Sequence, residues 1–568
     1  MFRSCISIAA LVTLTSAALP NKDWYRNSLV YQIYPRSFKD SNGDGIGDLN
    51  GITSKLEHIA DIGAQALWMS PIYPSPLSDF GYDISNFTDI HKDYGTLDHF
   101  DQLVAKAKSL GLKVLLDFVP NHSSDEHEWF KKSIQRIKPY DEYYVWRDPK
   151  MVNGTRQPPN NWLSVFRGSA WEWNPTRKQY YLHQFDKGQP DLNYHSDVLQ
   201  QEMKNVLKFW MARGVEGFRI DAINHMYEDD RFLDEPRINV PGLPDDDYDT
   251  LDHIYTKNLP ETYNVLRSWR QVLDEHSEDA DMKMILTEAY VDVNLTIKYY
   301  QSGSTVPFNF MFIAELNNKS SAVDFKLLID RWMNHLPNDP AYVANWVVGN
   351  HDNHRAASRF GVKRADQLSM LATILPGVSV IYNGDEIGMV DRPFTYEETV
   401  DPAGCNAGPD RYHLKSRDPE RTPFQWDNST SAGFSTNATT WLPVHSNYKT
   451  LNLAAQKTAT VSHYKVFKSL AQLKRKPVIE QGKLEIVLVT KKILGAVRRH
   501  DASIVALMVN FDNSPVTVDA RAWMNIPERL IVYASSVDSK LLAGTYVDTT
   551  RVTMPASASV VLATEDLL

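Results

Sequence analysis

Carboxylates recur where strand-like runs of this chain end, and their spacing suits acid–base and nucleophilic chemistry. The strand ends carry four carboxylates, and Arg219 precedes the second of them by two residues. The four are Asp117, Asp221, Glu288 and Asp352. A single Asp at a strand end is more often a loop cap or an ion-pair partner, but four such ends together are hard to explain by capping. We interpret them as one cleft of carboxylates accompanied by Arg and His.

Two of these groups, Asp221 and Glu288, have the character that retaining glycoside hydrolysis requires. That reaction uses two carboxyl groups about 5–5.5 Å apart, one ionised as the nucleophile and one protonated as the acid. Arg219 precedes Asp221 by two residues, so both side chains project from the same face of a strand. We expect the guanidinium to keep Asp221 ionised. Glu288 would be the acid, with its pKa raised by neighbouring carboxylates.

Eight short apolar strands, alternating with amphipathic stretches, must position these residues. Such a βα repeat predicts a parallel (β/α)8 TIM barrel, in which the carboxyl ends of the strands bear the active site. The predicted strands are 29–34, 66–69, 113–118, 217–221, 284–288, 308–310, 343–348 and 378–382.

Two further units accompany the barrel. A stretch of about seventy residues rich in Pro, Asn, Trp and Tyr follows the third strand, and a loop of that length needs structure of its own. From about residue 479 the pattern changes to short alternating runs typical of an antiparallel β-sandwich. The predicted fold class is therefore α/β: a barrel of residues 19–122 and 190–470, an inserted subdomain at 123–189, and a C-terminal β-sandwich at 471–568.

Several motifs resemble the signature regions of glycoside hydrolase family 13, the α-amylase family. They are QIYPRSF at 32–38, DFVPNH at 117–122, GFRID at 217–221, TEA at 287–289 and NHD at 350–352. QPDLN at 189–193 and RTPFQW at 421–426 are similar to regions of the oligo-1,6-glucosidase/α-glucosidase branch. The resemblance covers nearly the whole chain in order, and its overall pattern is most similar to the secreted insect maltases of that branch.

The resemblance implies a retaining, exo-acting α-glucosidase that releases α-1,4-linked glucose from the non-reducing end of maltose, sucrose and short oligosaccharides through a covalent glycosyl-enzyme. By motif, Asp221 would be the nucleophile, Glu288 the acid/base and Asp352 the carboxylate that stabilises the transition state. The residues that would bind the first glucose are His122, Arg219 and His351, with Tyr82 stacked beneath the ring. Asp79 and Arg421 would be the two residues that grip the non-reducing end and close the pocket behind one sugar unit.

The residue after the nucleophile bears on linkage preference. Relatives in this branch that prefer α-1,6 linkages carry Val there, and this chain has Ala222 on the same predicted strand as Asp221. The resemblance therefore implies a preference for α-1,4 linkages. Two other enzyme functions stay open, an endo-amylase and a transglycosylating isomerase, although Asp79 and Arg421 speak against the amylase. A non-catalytic receptor, similar to amino-acid transporter heavy chains, is disfavoured because all three carboxylates are present.

A separate oxygen-rich loop, DSNGDGIGD at 40–48, suits a hard divalent cation such as Ca²⁺. By itself it reads as an Asx/Gly turn, since no Glu stands at the twelfth loop position. The resemblance implies a structural calcium loop after the first strand. Its ligands would be the side chains of Asp40, Asn42, Asp44 and Asp48 with the carbonyl of Ile46.

The N-terminus and the composition bear on location and partners. A basic start, a short apolar run and small residues predict a signal peptide at 1–18, too short to span a bilayer. Because Cys5 lies in that leader, Cys405 would be the one thiol of the mature chain, which excludes disulfide-scaffold and zinc-finger classes. With 60 Lys and Arg against 70 Asp and Glu, a nucleic-acid partner is disfavoured.

We therefore expect a secreted, extracellular glycoprotein without a membrane anchor, acting on small sugars as a monomer or homodimer. Seven Asn-x-Ser/Thr sequons support secretion weakly. Six of them, excluding Asn121, are the glycosylation candidates: Asn86, Asn153, Asn294, Asn318, Asn428 and Asn437.

Overall fold

The barrel is the centre of the computed structural model, which describes residues 21–277 and 281–568. The predicted signal peptide and Cys5 lie outside the described residues. Eight strands form one parallel sheet in the spatial order 6-5-4-3-2-1-8-7, which confirms the predicted (β/α)8 fold. The eight barrel strands, in chain order, are Leu29–Ile33, Ala66–Met69, Lys113–Phe118, Gly217–Ile220, Met284–Thr287, Val306–Pro307, Asn345–Val347 and Val378–Tyr382.

The sixth barrel strand differs from its prediction. It is Val306–Pro307, whereas 308–310 was predicted, and the chain then turns into the helix Met311–Ala314. The phenylalanines of 308–310 are buried in an apolar cluster with residues of the other barrel strands, so their pattern reflected core packing. Between the sixth and seventh strands the Asn345 side chain closes the sheet, donating from Nδ2 to the Pro307 carbonyl at 2.6 Å and accepting from the Asn309 N–H at 2.8 Å.

The helices around the barrel begin where polar side chains satisfy free N–H groups. Thr96 accepts from the His99 N–H and Ser196 from the Leu199 N–H, while Ser321 forms a capping box with Asp324. The helices of eight or more residues are Leu49–Asp61, Leu97–Ser109, Asp197–Ala212, Glu261–Glu275, Val293–Tyr300, Ala322–His335, Ala365–Ile374 and His463–Lys474. The last of these continues past the predicted domain boundary at residue 470.

The insertion after the third strand has a small core of its own. It contains the helix Glu128–Ile134, the three-stranded antiparallel sheet Trp146–Arg147, Gln179–Leu182 and Trp171–Asn174, and the hairpin Lys150–Val152 with Thr155–Gln157. Its core includes Trp162 and Trp171, whose rings stack at 5.8 Å. A β-bridge between His122 and Asp191 joins the two ends of the insertion at the barrel mouth.

The C-terminal unit is antiparallel, as predicted. A six-stranded sheet and a two-stranded sheet enclose one apolar cluster that includes Val497, Met508, Val552 and Leu562. No helix in the described part of the chain combines the length and the apolar character needed to cross a membrane. The strands, in sheet order, are Lys483–Leu488, Ile493–His500, Ser503–Asn510, Ser559–Ala563, Arg529–Ser535 and Tyr546–Asp548, then Val516–Val518 and Val552–Met554.

Candidate active site

A pocket of about 380 Å³ opens at the carboxyl ends of the barrel strands, beneath the inserted subdomain. Phe166 and Phe185 of the insertion form part of its wall. Three predicted site residues are almost fully buried and lie behind the lining: Arg219, His351 and Arg421. The predicted site residues that line the pocket are Asp79, Tyr82, His122, Asp221, Ala222, Glu288 and Asp352.

The guanidinium of Arg219 holds the carboxylates of the pocket floor together. Its Nη1 donates to both carboxylate oxygens of Asp117, at 2.9 and 3.0 Å, and to Oδ1 of Asp221 at 2.5 Å. Its Nη2 lies 3.3 Å from Oε2 of Glu288. Both candidate catalytic carboxyls therefore face one cation. Asp117, which the sequence placed in the cleft without a role, is fully buried and offsets the charge of that cation.

Burial dominates the ionisation of Asp221 and Glu288, the candidate catalytic pair. It raises the pKa of Asp221 to about 7, against the opposing attraction of Arg219, so Arg219 alone does not set the ionisation of Asp221 as we expected. Burial also raises the pKa of Glu288 to about 7, with Asp221 and Asp352 adding to the rise. Interacting groups of this kind titrate as a pair. Arg219 lies 2.5 Å from Asp221 and 3.3 Å from Glu288, which favours ionisation of Asp221 and protonation of Glu288.

The third carboxylate, Asp352, lies in a different electrostatic setting. Burial opposes its ionisation, but His351, Arg421 and Arg417 together lower the pKa of Asp352 well below its ordinary value. Nη2 of Arg421 donates to Oδ1 of Asp352 at 2.9 Å, and Nη1 of Arg417 lies 3.4 Å from the same oxygen. Asp352 therefore stays ionised beside a pair that shares a proton.

The prediction that Arg421 grips the sugar together with Asp79 is wrong, because Arg417 and not Arg421 lies beside Asp79 at the pocket wall. Nη2 of Arg417 donates to Oδ1 of Asp79 at 2.7 Å, and Arg417 lines the pocket, whereas Arg421 is fully buried and bonds Asp352 and the His351 carbonyl. The two arginines are four residues apart, on either side of the 3-10 turn Asp418–Glu420, so they point to different partners. The sequence offered no signal that separated one from the other.

Aromatic and imidazole rings pack beside the carboxylates, with the Tyr82 hydroxyl donating to Asp117 at 3.1 Å and Nε2 of His351 lying 3.5 Å from Asp352. The rings of Tyr82 and His351 stack at 5.4 Å with 6° between their planes, and the Tyr82 hydroxyl lies 2.7 Å from Nε2 of His351. Gln32 fixes the other ring nitrogen of His351 at 2.7 Å. Burial lowers the pKa of His122 to about 3, so this imidazole is neutral. Gln189 lies 3.1 Å from Nε2 of His122 and donates to Asp79 at 3.3 Å.

Ala222 lies beyond the end of the fourth barrel strand, contrary to its predicted place on that strand. The strand ends at Ile220, and Ala222 has the left-handed backbone angles φ 44° and ψ 35°. This turn aims the Ala222 N–H at Oε2 of Glu288, at 2.7 Å. The residue therefore lines the pocket and also orients the candidate acid.

Comparisons with known proteins agree with this geometry. The α-amylase catalytic-domain family matches residues 32–482. The chain belongs to the α-amylase family. Maltase 1 of Drosophila virilis is 50% identical over 530 residues, covering 92% of this chain and 83% of that protein, and the α-glucosidase of Apis mellifera is 48% identical over 538 residues, covering 94% of each. The trehalulose synthase MutB of Pseudomonas mesoacidophila MX-45 has a TM-score of 0.82 at 32% identity, covering 96% of this chain and 100% of that one. The protein is therefore a glycoside hydrolase.

In this α-amylase-family chain the predicted calcium loop precedes the helix Leu49–Asp61. The Asp40 carboxylate accepts from the N–H groups of Gly43 and Gly45, at 2.7 and 2.8 Å, and the Asp48 carboxylate accepts from the Gly51 N–H at 2.8 Å as the helix cap. The same loop contains Asn42 with Asp44, 3.0 Å apart through Nδ2 and Oδ2, and Ile46, whose N–H donates to Oδ1 of Asp44.

The sequons of this glycoside hydrolase differ in exposure. Asn121 is buried beside His122, which removes it from a glycan's reach. Of the six candidate sequons, Asn437 is partly buried and the exposed ones are Asn86, Asn153, Asn294, Asn318 and Asn428.

Cys405 is exposed and unpaired with another cysteine in the described residues.

Proposed function

We propose that the protein is a retaining, exo-acting α-glucosidase that hydrolyses terminal α-1,4-linked glucose from maltose, sucrose and short oligosaccharides. The observation that carries the proposal is a small pocket in which Asp221 and Glu288 face one guanidinium while the ion pair of Asp79 and Arg417 lines another part of the wall. The names of the maltase and α-glucosidase relatives support the same activity.

The arrangement suits a double displacement. An Asp221 carboxylate oxygen attacks the anomeric carbon and forms a glycosyl ester, while the bond to the leaving oxygen breaks and Glu288 gives that oxygen its proton. Glu288, now ionised, removes a proton from water, whose oxygen attacks the same carbon and displaces Asp221. Asp352 remains ionised beside the positive charge that develops on the sugar ring in both steps.

Exo action would follow from the charged end of the pocket. Arg417 bonds Asp79 and the fully buried Asp401, and its guanidinium lies 5.1 Å from the Phe166 ring of the insertion. A glucose bound over Asp221 would place its non-reducing end against this network, which leaves no room for a further sugar. An endo-amylase needs a cleft open at both ends, so the network favours a glucosidase.

Product analysis with maltose, isomaltose, sucrose and starch tests the proposal. We expect glucose from maltose and sucrose at higher kcat/KM than from isomaltose, no internal cleavage of starch, and α-glucose as the first anomer seen by NMR. Internal cleavage of starch would refute exo action, and initial β-glucose would refute retention. Trehalulose or isomaltulose as the main product from sucrose would favour the isomerase, a function suggested by the name of the structural relative.

We also propose that the loop of residues 40–48 binds a structural Ca²⁺. The donor set fits, because Asp40, Asn42, Asp44, Asp48 and the Ile46 carbonyl offer oxygen alone, which is the ligand Ca²⁺ prefers. Positive φ at Gly43 and Gly45, 83° and 92°, permits the tight turn. The ion would brace the loop between the first strand and its helix.

Chelation tests the calcium proposal. An ion that binds the folded state alone raises the melting temperature, so EGTA should lower it and added Ca²⁺ should restore it. Asp44→Asn, at an exposed loop position, should reduce this response. An unchanged melting temperature in EGTA would show that the loop is a turn stabilised by its own hydrogen bonds.

We further propose that the protein is secreted after removal of residues 1–18 and is glycosylated at exposed sequons. The basic and apolar leader and the five exposed asparagines support this. Mass spectrometry of the protein collected from the medium of insect cells tests both parts. A mature N-terminus near residue 19 and deglycosylation mass shifts are expected, and retention inside the cells with residues 1–18 intact would refute secretion.

A further inference from the structure

Three potential metal ligands meet outside the sugar pocket. His354 follows the seventh barrel strand, Asp391 follows the eighth, and Glu420 ends the 3-10 turn Asp418–Glu420. Nδ1 of His354 lies 2.9 Å from Oδ2 of Asp391 and 3.6 Å from Oε2 of Glu420. One ligand atom from each residue lies within 4.8 Å of the other two, and no other group of three His, Cys, Asp or Glu in residues 21–277 and 281–568 meets this condition.

The carboxyl group of Glu420 is buried, and one of its oxygens lacks a hydrogen-bond partner among the described residues. Glu420 is 1% exposed, and its Oε2, which points at His354, has no hydrogen-bond partner in the described part of the chain. An unpaired carboxylate at such a position costs several kcal/mol unless it gains a proton or a cation.

The neighbouring arginines do not supply that cation by direct contact. Arg359 donates its three guanidinium nitrogens to the carbonyls of His354, Phe312 and Val348 at 2.7–3.0 Å. Arg421 uses Nε and Nη2 for the His351 carbonyl and for Asp352. The carboxylates of Asp391 and Glu420 therefore keep lone pairs that can bind an ion together with the His354 imidazole.

We propose that His354, Asp391 and Glu420 bind a divalent transition-metal ion, with Zn²⁺ the best match. One imidazole nitrogen and two carboxylate oxygens suit Zn²⁺, whereas Ca²⁺ takes six to eight oxygens. The His354 side chain is 48% exposed, so the ion can enter from solvent and complete its coordination with water. This site is separate from the loop of residues 40–48.

The ion would act by positioning. His354 lies two residues after Asp352, and Glu420 directly precedes Arg421, which bonds Asp352. A metal bridging these segments would fix the loop that carries Asp352 relative to its arginine partner. The three ligands do not line the sugar pocket, so the metal would have no direct contact with substrate. The inference does not depend on which sugar the protein hydrolyses.

Calorimetric titration of the chelator-treated full chain with Zn²⁺ tests the proposal, with thermal unfolding measured in parallel. We expect one saturable site and a higher melting temperature with Zn²⁺. His354→Ala should fold normally because the side chain is exposed, and it should weaken binding by about tenfold or more, since even loss of a residue that only supports a ligand costs about that much. Asp391→Asn should also fold, because its amide oxygen can still accept from the Arg355 N–H, and it should also weaken Zn²⁺ binding.

The matched control is His463→Gln. His463 also pairs with an aspartate, Asp366 at 2.7 Å, but belongs to no three-ligand group in the described residues, so this variant should bind Zn²⁺ as the wild type does. The response to Ca²⁺ should be the same in His354→Ala and wild type. Absence of saturable Zn²⁺ binding in the wild type, or equal binding by His354→Ala, would overturn the proposal.

Discussion

Asp79→Asn is the sharpest test of our proposal that the pocket binds a terminal glucose through Asp79. Asp79 is 4% exposed, and its Oδ1 pairs with Arg417 at 2.7 Å while its Oδ2 accepts from Gln189 at 3.3 Å. Asparagine keeps one oxygen for Arg417, and Arg417 keeps Asp401, so the fold should persist. The variant removes the negative charge from the end of the pocket where we place the non-reducing hydroxyl groups.

The expected loss follows from the strength of a charged hydrogen bond. A hydrogen bond to an ionised group contributes about 1.5–3 kcal/mol, and each 1.36 kcal/mol is tenfold in rate. We therefore expect kcat/KM to fall about 10- to 150-fold with p-nitrophenyl α-glucoside, a substrate with a constant leaving group. The 4-deoxy and 6-deoxy analogues complete a double-mutant cycle. With the analogue that lacks the hydroxyl contacted by Asp79, kcat/KM should be nearly the same for Asp79→Asn and wild type.

Asp401→Asn is the matched control. Asp401 is fully buried and also bonds Arg417, through Nε at 3.0 Å. If Asp79 contacts the sugar directly, Asp401→Asn should lower kcat/KM less than Asp79→Asn does. Its loss in kcat/KM should also be the same for the parent glucoside and for both deoxy analogues. Equal losses in the two variants, or a loss below about threefold for Asp79→Asn, would refute direct recognition.

Three further predictions concern the candidate catalytic pair, Asp221 and Glu288, and the neighbouring Ala222. Asp221→Asn should abolish formation of the glycosyl-enzyme, seen as loss of turnover and of a covalent adduct by mass spectrometry, and near-normal maltose hydrolysis would contradict the assignment. Because burial raises the pKa of Glu288 to about 7, the acid form is lost as pH rises through that value, so kcat should decline there; Glu288→Gln, assayed with an activated aryl glucoside, should retain some turnover without that decline. Ala222→Val should increase the ratio of kcat/KM for isomaltose to kcat/KM for maltose, by a factor that corresponds to about 1–3 kcal/mol. It should also lower the free energy of unfolding measured by urea denaturation, because a β-branched side chain fits φ 44° less well than alanine does, whereas Ala222→Gly, which removes Cβ, should not lower it.

Local patterns were sufficient for most of the barrel. The strands 66–69, 113–118 and 378–382 have the predicted bounds, because each is a mostly apolar run that is buried along nearly its whole length. The sixth strand was misplaced because Phe308 and Phe310 show the alternation of a strand although they pack inside the barrel after the strand has ended. Apolar periodicity reports burial, and burial does not require strand geometry.

Residue type and position at strand ends determined which carboxylates share the pocket, because parallel strands deliver their carboxyl ends to one side of a barrel. Only the tertiary structure decided which arginine meets Asp79, since Arg417 and Arg421 flank one short turn and their partners come from distant segments. The same holds for the pKa of Asp221, where burial outweighs the adjacent Arg219, and for the meeting of His354, Asp391 and Glu420. Contacts between segments far apart in the chain, and the burial that they create, are properties of the packed whole.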